Sequence, residues 1–144
     1  MATIWQLIER RAGETPDDVM LIDESDRRVT FGEFRDQAAA LAAGLAGAGI
    51  GSESRVTWQL PSSIDAAITM AALSRLDAVQ CPVLHLYRKK ELGFVLKHTG
   101  AEYCIVPGEW KGFDYTAMAD ELAADLDPSP VVMTLGSLPT GDPS

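Results

Sequence analysis

From residue 55 onward the sequence repeats one alternation, and no other feature constrains the fold as tightly. "RVTWQL" (55–60), "AVQCPV" (78–83), "EYCIV" (102–106) and "VVMTL" (131–135) are short runs rich in apolar and β-branched residues. Runs of this length and composition read as strands of a sheet covered on its faces. Between them, apolar residues recur at helical spacing: Ile64, Ala67, Ile68 and Ala71, then Leu92, Val95 and Leu96, then Met118, Ala119 and Leu122. Strand and helix in turn, joined by short connections, predict an α/β fold: a mostly parallel sheet with helices on both faces. Pro61 ends the first strand, Ser62 and Asp65 are expected to cap the helix after it, and Gly100 closes the helix of Leu92.

The residues before this series add a small N-terminal β-hairpin and two capped helices. Thr3 with Gln6 precedes Ile4, Leu7 and Ile8, and Thr30 with Glu33 precedes Phe34, Ala38, Leu41 and Leu45. Each pair has the spacing of a capping box, in which side chain and backbone satisfy each other's free groups. "DVMLIDESDRRVTF" between the helices reads as two short strands and a polar turn. Gly49 stands where a left-handed helix cap belongs. After Leu135 the composition turns to "GSLPTGDPS", so residues 1–135 read as one α/β unit and 136–144 as a linker or loose tail.

Composition excludes several classes. With 47% hydrophobic residues the chain carries enough apolar surface for a core, and a net charge of -9 argues against nucleic-acid binding. The start has no basic region followed by an apolar run, so it is not a signal peptide. The longest uncharged, mostly apolar run, residues 38–51, falls short of the roughly 20 residues that cross a bilayer. A soluble, cytoplasmic protein is expected. Cys81 and Cys104 sit in apolar runs without metal-binding or redox spacing and read as small core residues. No metal site is expected.

Two patterns are set aside. "TGD" (140–142) has the letters of a ribose-binding motif but stands in the tail. Gly47, Gly49 and Gly51 resemble a dinucleotide fingerprint, but they follow a helix where that motif needs a strand. Gln59 interrupts an apolar strand, and a buried amide there is expected to hydrogen-bond a neighbouring loop. Trp58 reads as core. His98, beside Lys97 in the last turn of its helix, complements the helix dipole.

One stretch breaks the local rule. Arg88, Lys89 and Lys90 stand where a helix begins, at an end that ordinarily recruits acids or hydroxyl caps. His85, just before them, follows a strand, and ligands of open α/β sheets bind beyond the carboxyl ends of strands. The plain alternative is a solvated cationic turn, with Arg88 or Lys89 paired to Glu91 or a distant carboxylate.

Three longer stretches carry a family resemblance: "VTFGEFRDQAAALAAGLAGAGIGSESRV" (29–56), "WQLPSSIDAAITMAALSRLDAVQCPV" (58–83) and "YRKKELGFVLKHTGAEYCIVP" (87–107). In order and spacing they resemble the N-terminal part of the adenylate-forming enzymes, which include acyl-CoA synthetases, firefly luciferase and peptide-synthetase adenylation domains. "WQLP", "ELGFVLKH" and "KGFDYTAMA" (111–119) are similar to the branch of cyclohexanecarboxylate-CoA and short- or medium-chain fatty acid CoA ligases.

The resemblance implies the first subdomain of that fold and a two-step reaction using ATP, Mg²⁺ and coenzyme A. A small carboxylic acid is adenylated, and the thiol of coenzyme A then displaces AMP. Loading of a carrier protein is the nearby alternative, and a stand-alone α/β binding module is the alternative from another class. The family's phosphate loop, Mg²⁺-binding Thr-Glu pair, ribose-binding Asp and catalytic Lys have no counterpart here. The chain therefore reads as a fragment, inactive alone, with no catalytic residue of its own. Exposed apolar faces are expected to drive self-association. In related CoA ligases the segments matching 85–87 and 108–111 lie near the nucleotide end of coenzyme A. That makes His85, Tyr87, Arg88, Lys89, Lys90, Trp110 and Lys111 the candidate coenzyme A contacts.

Overall fold

Both capping boxes are formed in the computed structural model, which describes residues 1–144. The Thr3 hydroxyl accepts from the Gln6 N–H at 3.1 Å and the Gln6 side chain accepts from the Thr3 N–H at 2.9 Å, starting α1 (Ile4–Glu14). Thr30 and Glu33 exchange the same two bonds, at 3.1 Å each, and start α2 (Phe31–Gly47). Just past α2, Gly49 takes φ 103°, a conformation that an L side chain rarely adopts. The expected hairpin pairs β1 (Val19–Ile22) antiparallel with β2 (Arg28–Thr30). Its turn is tied by the Asp23 carboxylate, which accepts from the Ser25 and Arg27 backbone at 2.9 Å.

Helix α3 (Ile64–Arg75) corrects one expectation. Its cap is Ser63 rather than Ser62, because the capping hydroxyl must reach the N–H three residues on, and Ser63 accepts from Ala66 at 3.0 Å. Asp65 lies in the first turn and pairs with Arg27 at 3.1 Å. These elements, with residues 139–144, form one of two compact units, and Phe34, Leu41, Leu45, Ile68 and Leu73 are buried in it. Residues 139–141 lie along α2: the Gly141 N–H donates to the Ala40 carbonyl at 2.9 Å, and a Cβ on Gly44 would overlap the Pro139 carbonyl.

The second unit, residues 52–61 and 78–138, holds the sheet. Its strands are β3 (Arg55–Trp58), β4 (Val79–Pro82) and β5 (Tyr103–Val106), then, after the short hairpin of β6 (Glu109–Trp110) and β7 (Phe113–Asp114), β8 (Val131–Thr134). The order is β4-β3-β5-β8, all parallel. Helix α4 (Lys89–Thr99) follows β4 and α5 (Tyr115–Ala124) follows β7. Leu92 and Leu96 of α4 meet Cys104 and Val106 of β5 and Tyr115, Met118 and Ala119 of α5 in one buried cluster. Gly100 closes α4 at φ 61°, as the sequence predicts. The β6–β7 hairpin was not legible. Its turn places Lys111 at φ 47° and Gly112 at φ 78°, the paired positive angles of a two-residue type I′ connection. No helix is long and apolar enough to cross a membrane.

Candidate functional site

The segments leaving the carboxyl ends of β4 and β5 meet, and Gln59, just beyond β3, holds one of them. Gln59 is fully buried, as its place in an apolar strand requires, and its side-chain amide donates to the carbonyls of Leu84 and Tyr87 at 2.9 Å each. Its backbone N–H donates to Ile105. One amide therefore ties the loop after β4 to the middle of the sheet. Trp58, its neighbour, is half-buried and donates its indole N–H to the Gln80 side chain at 2.9 Å.

Arg88 answers the question its position raises. Its backbone is extended and precedes the helix, and its side chain turns back over the loop. One guanidinium nitrogen donates to the carbonyls of His85 at 2.8 Å and Tyr87 at 3.1 Å, and reaches the Tyr115 hydroxyl at 3.4 Å. The guanidinium carbon lies 4.0 Å from the Phe113 ring centre and 5.2 Å from that of Tyr115. Such stacking suits a flat delocalised cation. Tyr115, 1% exposed, donates its own hydroxyl to the His85 carbonyl at 2.8 Å. The helix start is not left without an acid, because the Glu91 carboxylate accepts from the Arg88 N–H at 3.2 Å. Its own backbone N–H, then that of Arg88, and the charge of Lys90 hold the Glu91 carboxyl below its ordinary value.

The remaining candidates divide. The His85 ring meets Trp110 edge-on at 5.0 Å, and the Lys111 ammonium lies 4.8 Å from the centre of the same indole. His85, Trp110 and Lys111 thus form one cluster, with Arg88 and Tyr115 beneath it. Lys89 points elsewhere, into an ion pair with Glu121 of α5 at 2.6 Å. Lys90 makes no ion pair and lines a separate open groove with Tyr87. The row of three cations is therefore three different arrangements: Arg88 braces a loop, Lys89 joins two helices, and Lys90 faces outward.

The same geometry bears on chemistry. Cys104 is buried and its thiol is pushed up to about 12, by desolvation first and then by the charge of Asp120. It stays protonated and is not a nucleophile. No group of three or more His, Cys, Asp or Glu side chains converges to hold a metal ion, so these residues offer Mg²⁺ no ligand set. Sequence reasoning missed Tyr115 and Phe113, the floor of the cluster. The signal was the aromatic pair in "GFDY", which lies on either side of an Asp that caps α5 by accepting from Ala117 at 2.9 Å.

Comparison with known proteins places these features. Residues 8–142 match the family described as AMP-binding enzyme. The chain is 33% identical over 112 residues to 2-hydroxy-7-methoxy-5-methyl-1-naphthoate–CoA ligase of Streptomyces carzinostaticus, covering 78% of this chain and 20% of that protein. It is 33% identical over 127 residues to the salicyl-AMP ligase / salicyl-S-ArCP synthetase of Mycobacterium tuberculosis, covering 85% of this chain and 22% of that protein. The N-terminal subdomain of Klebsiella oxytoca NpsA, solved in complex with 3-hydroxybenzoyl-AMSN, superposes with a TM-score of 0.79 at 25% identity, over 96% of this chain and 31% of that one. The chain thus spans about a fifth of the length of these curated relatives. On a match running through nearly all of its residues, with the parallel sheet and its helices in the same arrangement, the chain belongs to the AMP-binding enzyme family.

Proposed function

We propose that this chain is the N-terminal part of an enzyme that joins a small carboxylic acid to AMP and then passes the acyl group to the thiol of coenzyme A. The observation that carries the second half is the meeting of His85, Trp110 and Lys111 beyond the carboxyl ends of β4 and β5. An aromatic face beside an exposed ammonium group suits a ligand that joins an adenine ring to phosphates. Lys111 would supply the charge. Arg88, held by two carbonyls and two rings, keeps the loop in place beneath it.

In the first step a carboxylate oxygen bonds to the α-phosphorus of ATP and pyrophosphate leaves. In the second the thiol sulfur bonds to the acyl carbon, AMP leaves, and the thiol proton is lost. Both transition states develop charge that needs fixed donors, and the donors that the family uses have no counterpart in these residues. This chain alone is therefore expected to catalyse neither step. The acid is a small carboxylate with an apolar body, a description that covers the alicyclic and fatty acids of the branch read in the sequence and the aromatic acids named for two relatives.

A second reading, transfer to a carrier protein, is favoured by the salicyl-S-ArCP synthetase relative. In an enzyme containing this chain, acid-dependent ATP–pyrophosphate exchange followed by thioester formation on coenzyme A is the expected result. Exchange without that thioester supports carrier loading, and no exchange with any aryl, alicyclic or fatty acid overturns both. Changing Lys111 to Ala should raise the KM for coenzyme A and leave exchange unchanged.

A further inference from the structure

We propose that the outer face of α4 is a docking surface for an acidic, apolar-centred helix of a partner protein. The inner stripe of α4, Leu92 and Leu96, is committed to the core. On the opposite side Lys90, Phe94 and His98 recur every four residues and so form one ridge. Phe94 is 66% exposed and stacks on the His98 ring at 5.2 Å, 10° from parallel. Two grooves adjoin this ridge, and both have Phe94 and Lys97 in their lining. One, of about 600 Å³, is lined by Tyr87, Lys90, Glu91, Phe94 and Lys97. The other, of about 470 Å³, is lined by Phe94, Lys97 and His98. An exposed ridge bordered by grooves is the relief into which a second helix packs.

Charge identifies the occupant. The chain carries a net -9, yet all four lysines, Lys89, Lys90, Lys97 and Lys111, and both histidines lie between residues 85 and 111. Lys89 is taken by Glu121, while Lys90 and Lys97 make no ion pair and flank Phe94. Glu91, the acid beside them, is engaged at the helix cap. An aromatic anchor ringed by unpaired cations is complementary to an apolar residue ringed by Asp or Glu.

A second copy of this chain lacks such a helix. Its other exposed large apolar helix residues are Ile4 and Leu7, on a helix whose Glu9 and Glu14 are balanced by Arg10 and Arg11 and engaged in ion pairs, and the isolated Met70. Two α4 faces brought together would set lysine against lysine. A membrane surface is disfavoured because the wide apolar stripe that an interfacial helix inserts is, in α4, already buried.

The probe is a fluorescein-labelled helical peptide of about four turns, with Leu on one face and Glu on its flanks. Its control carries Lys in place of each Glu. Fluorescence anisotropy with the whole chain should show binding of the Glu peptide only, weakening as salt is raised. Phe94→Ala should weaken it about tenfold or more. Lys90→Glu with Lys97→Glu should transfer binding to the Lys peptide. All three side chains are exposed, so the variants keep the far-ultraviolet dichroism of the parent. Absence of binding, equal binding of both peptides, or indifference to Phe94→Ala overturns the proposal. Phe94-dependent dimerisation in sedimentation velocity, or Phe94-dependent binding to phosphatidylserine vesicles in place of the peptide, overturns it in favour of a second copy or a membrane.

Discussion

Replacing Arg88 by Ala tests whether this guanidinium braces the loop after β4 or merely adds charge to it. The substitution removes hydrogen bonds to the His85 and Tyr87 carbonyls and the stack at 4.0 Å on Phe113. Neither carbonyl is orphaned, since Tyr115 still donates to His85 and Gln59 still donates to Tyr87. The cost is then the lost attraction without a desolvation penalty. For a partly exposed side chain, one charge-assisted bond's worth of about 1.5 kcal/mol and a stack of about 0.5 kcal/mol sum to about 2 kcal/mol. Arg88→Lys keeps the charge but loses the flat guanidinium and its fixed donor geometry, and should cost about 1 kcal/mol. In a urea titration followed by tryptophan fluorescence, a slope of roughly 2 kcal/mol/M puts the Ala midpoint about 1 M below the parent, with the slope unchanged. An Ala variant within about 0.5 kcal/mol of the parent would refute the brace. Full rescue by Lys would show that only the charge counted.

Three other outcomes follow from the packing. Gly44→Ala should destabilise the whole chain and speed proteolytic release of residues 139–144, because the new methyl meets the Pro139 carbonyl. In a chain ending at Leu138 the same change should stabilise by about 1 kcal/mol, the ordinary helical gain, and stabilisation in both chains would exclude the contact. Glu91 has a lowered carboxyl, so its contribution to α4 is full above the ordinary value of 4.5 and is lost as pH falls through the lowered one; Glu91→Gln should remove that part of the acid-induced loss of helicity seen by circular dichroism. Cys104 should resist a thiol reagent at about pH 9 in the native chain while half-buried Cys81 reacts, and labelling of both at equal rates would contradict the burial that raises its thiol.

What the sequence made legible was whatever local rules decide. Caps at Thr3 and Thr30 act over three residues, and the four sheet strands announce themselves by apolar runs bounded by Pro or Gly, so both are read from neighbours in the chain. The same rule singled out His85 at a strand end, while Trp110 came in through the family resemblance, and the two do meet. The role of Arg88 was not legible, because it depends on Phe113 and Tyr115, 25 and 27 residues away, which only the β6–β7 hairpin brings beneath it. That hairpin escaped notice for a local reason: two-residue strands have no periodicity, and its turn uses Lys111 where Asn or Asp would have signalled positive φ. Gln59 was recognised as a buried amide needing partners. That its two partners would be carbonyls of the candidate loop required the register of β3 against β4.

The sheet also has unlike rims. In parallel pairing alternate residues of a strand turn their backbone groups to one neighbour and then to the other side. Val79 and Val83 donate to the β3 side, at Ser54 and Trp58, so residue 82 faces the outer rim of β4, and Pro82 has no N–H to offer there. At the opposite rim Val131 donates inward to Glu102, which turns Val132 and Thr134 outward with their N–H groups intact. A strand approaching this sheet meets a missing rung at β4 and a complete ladder at β8. The backbone ladder of the sheet is thereby unequal at its two rims, interrupted beside β4 and complete beside β8.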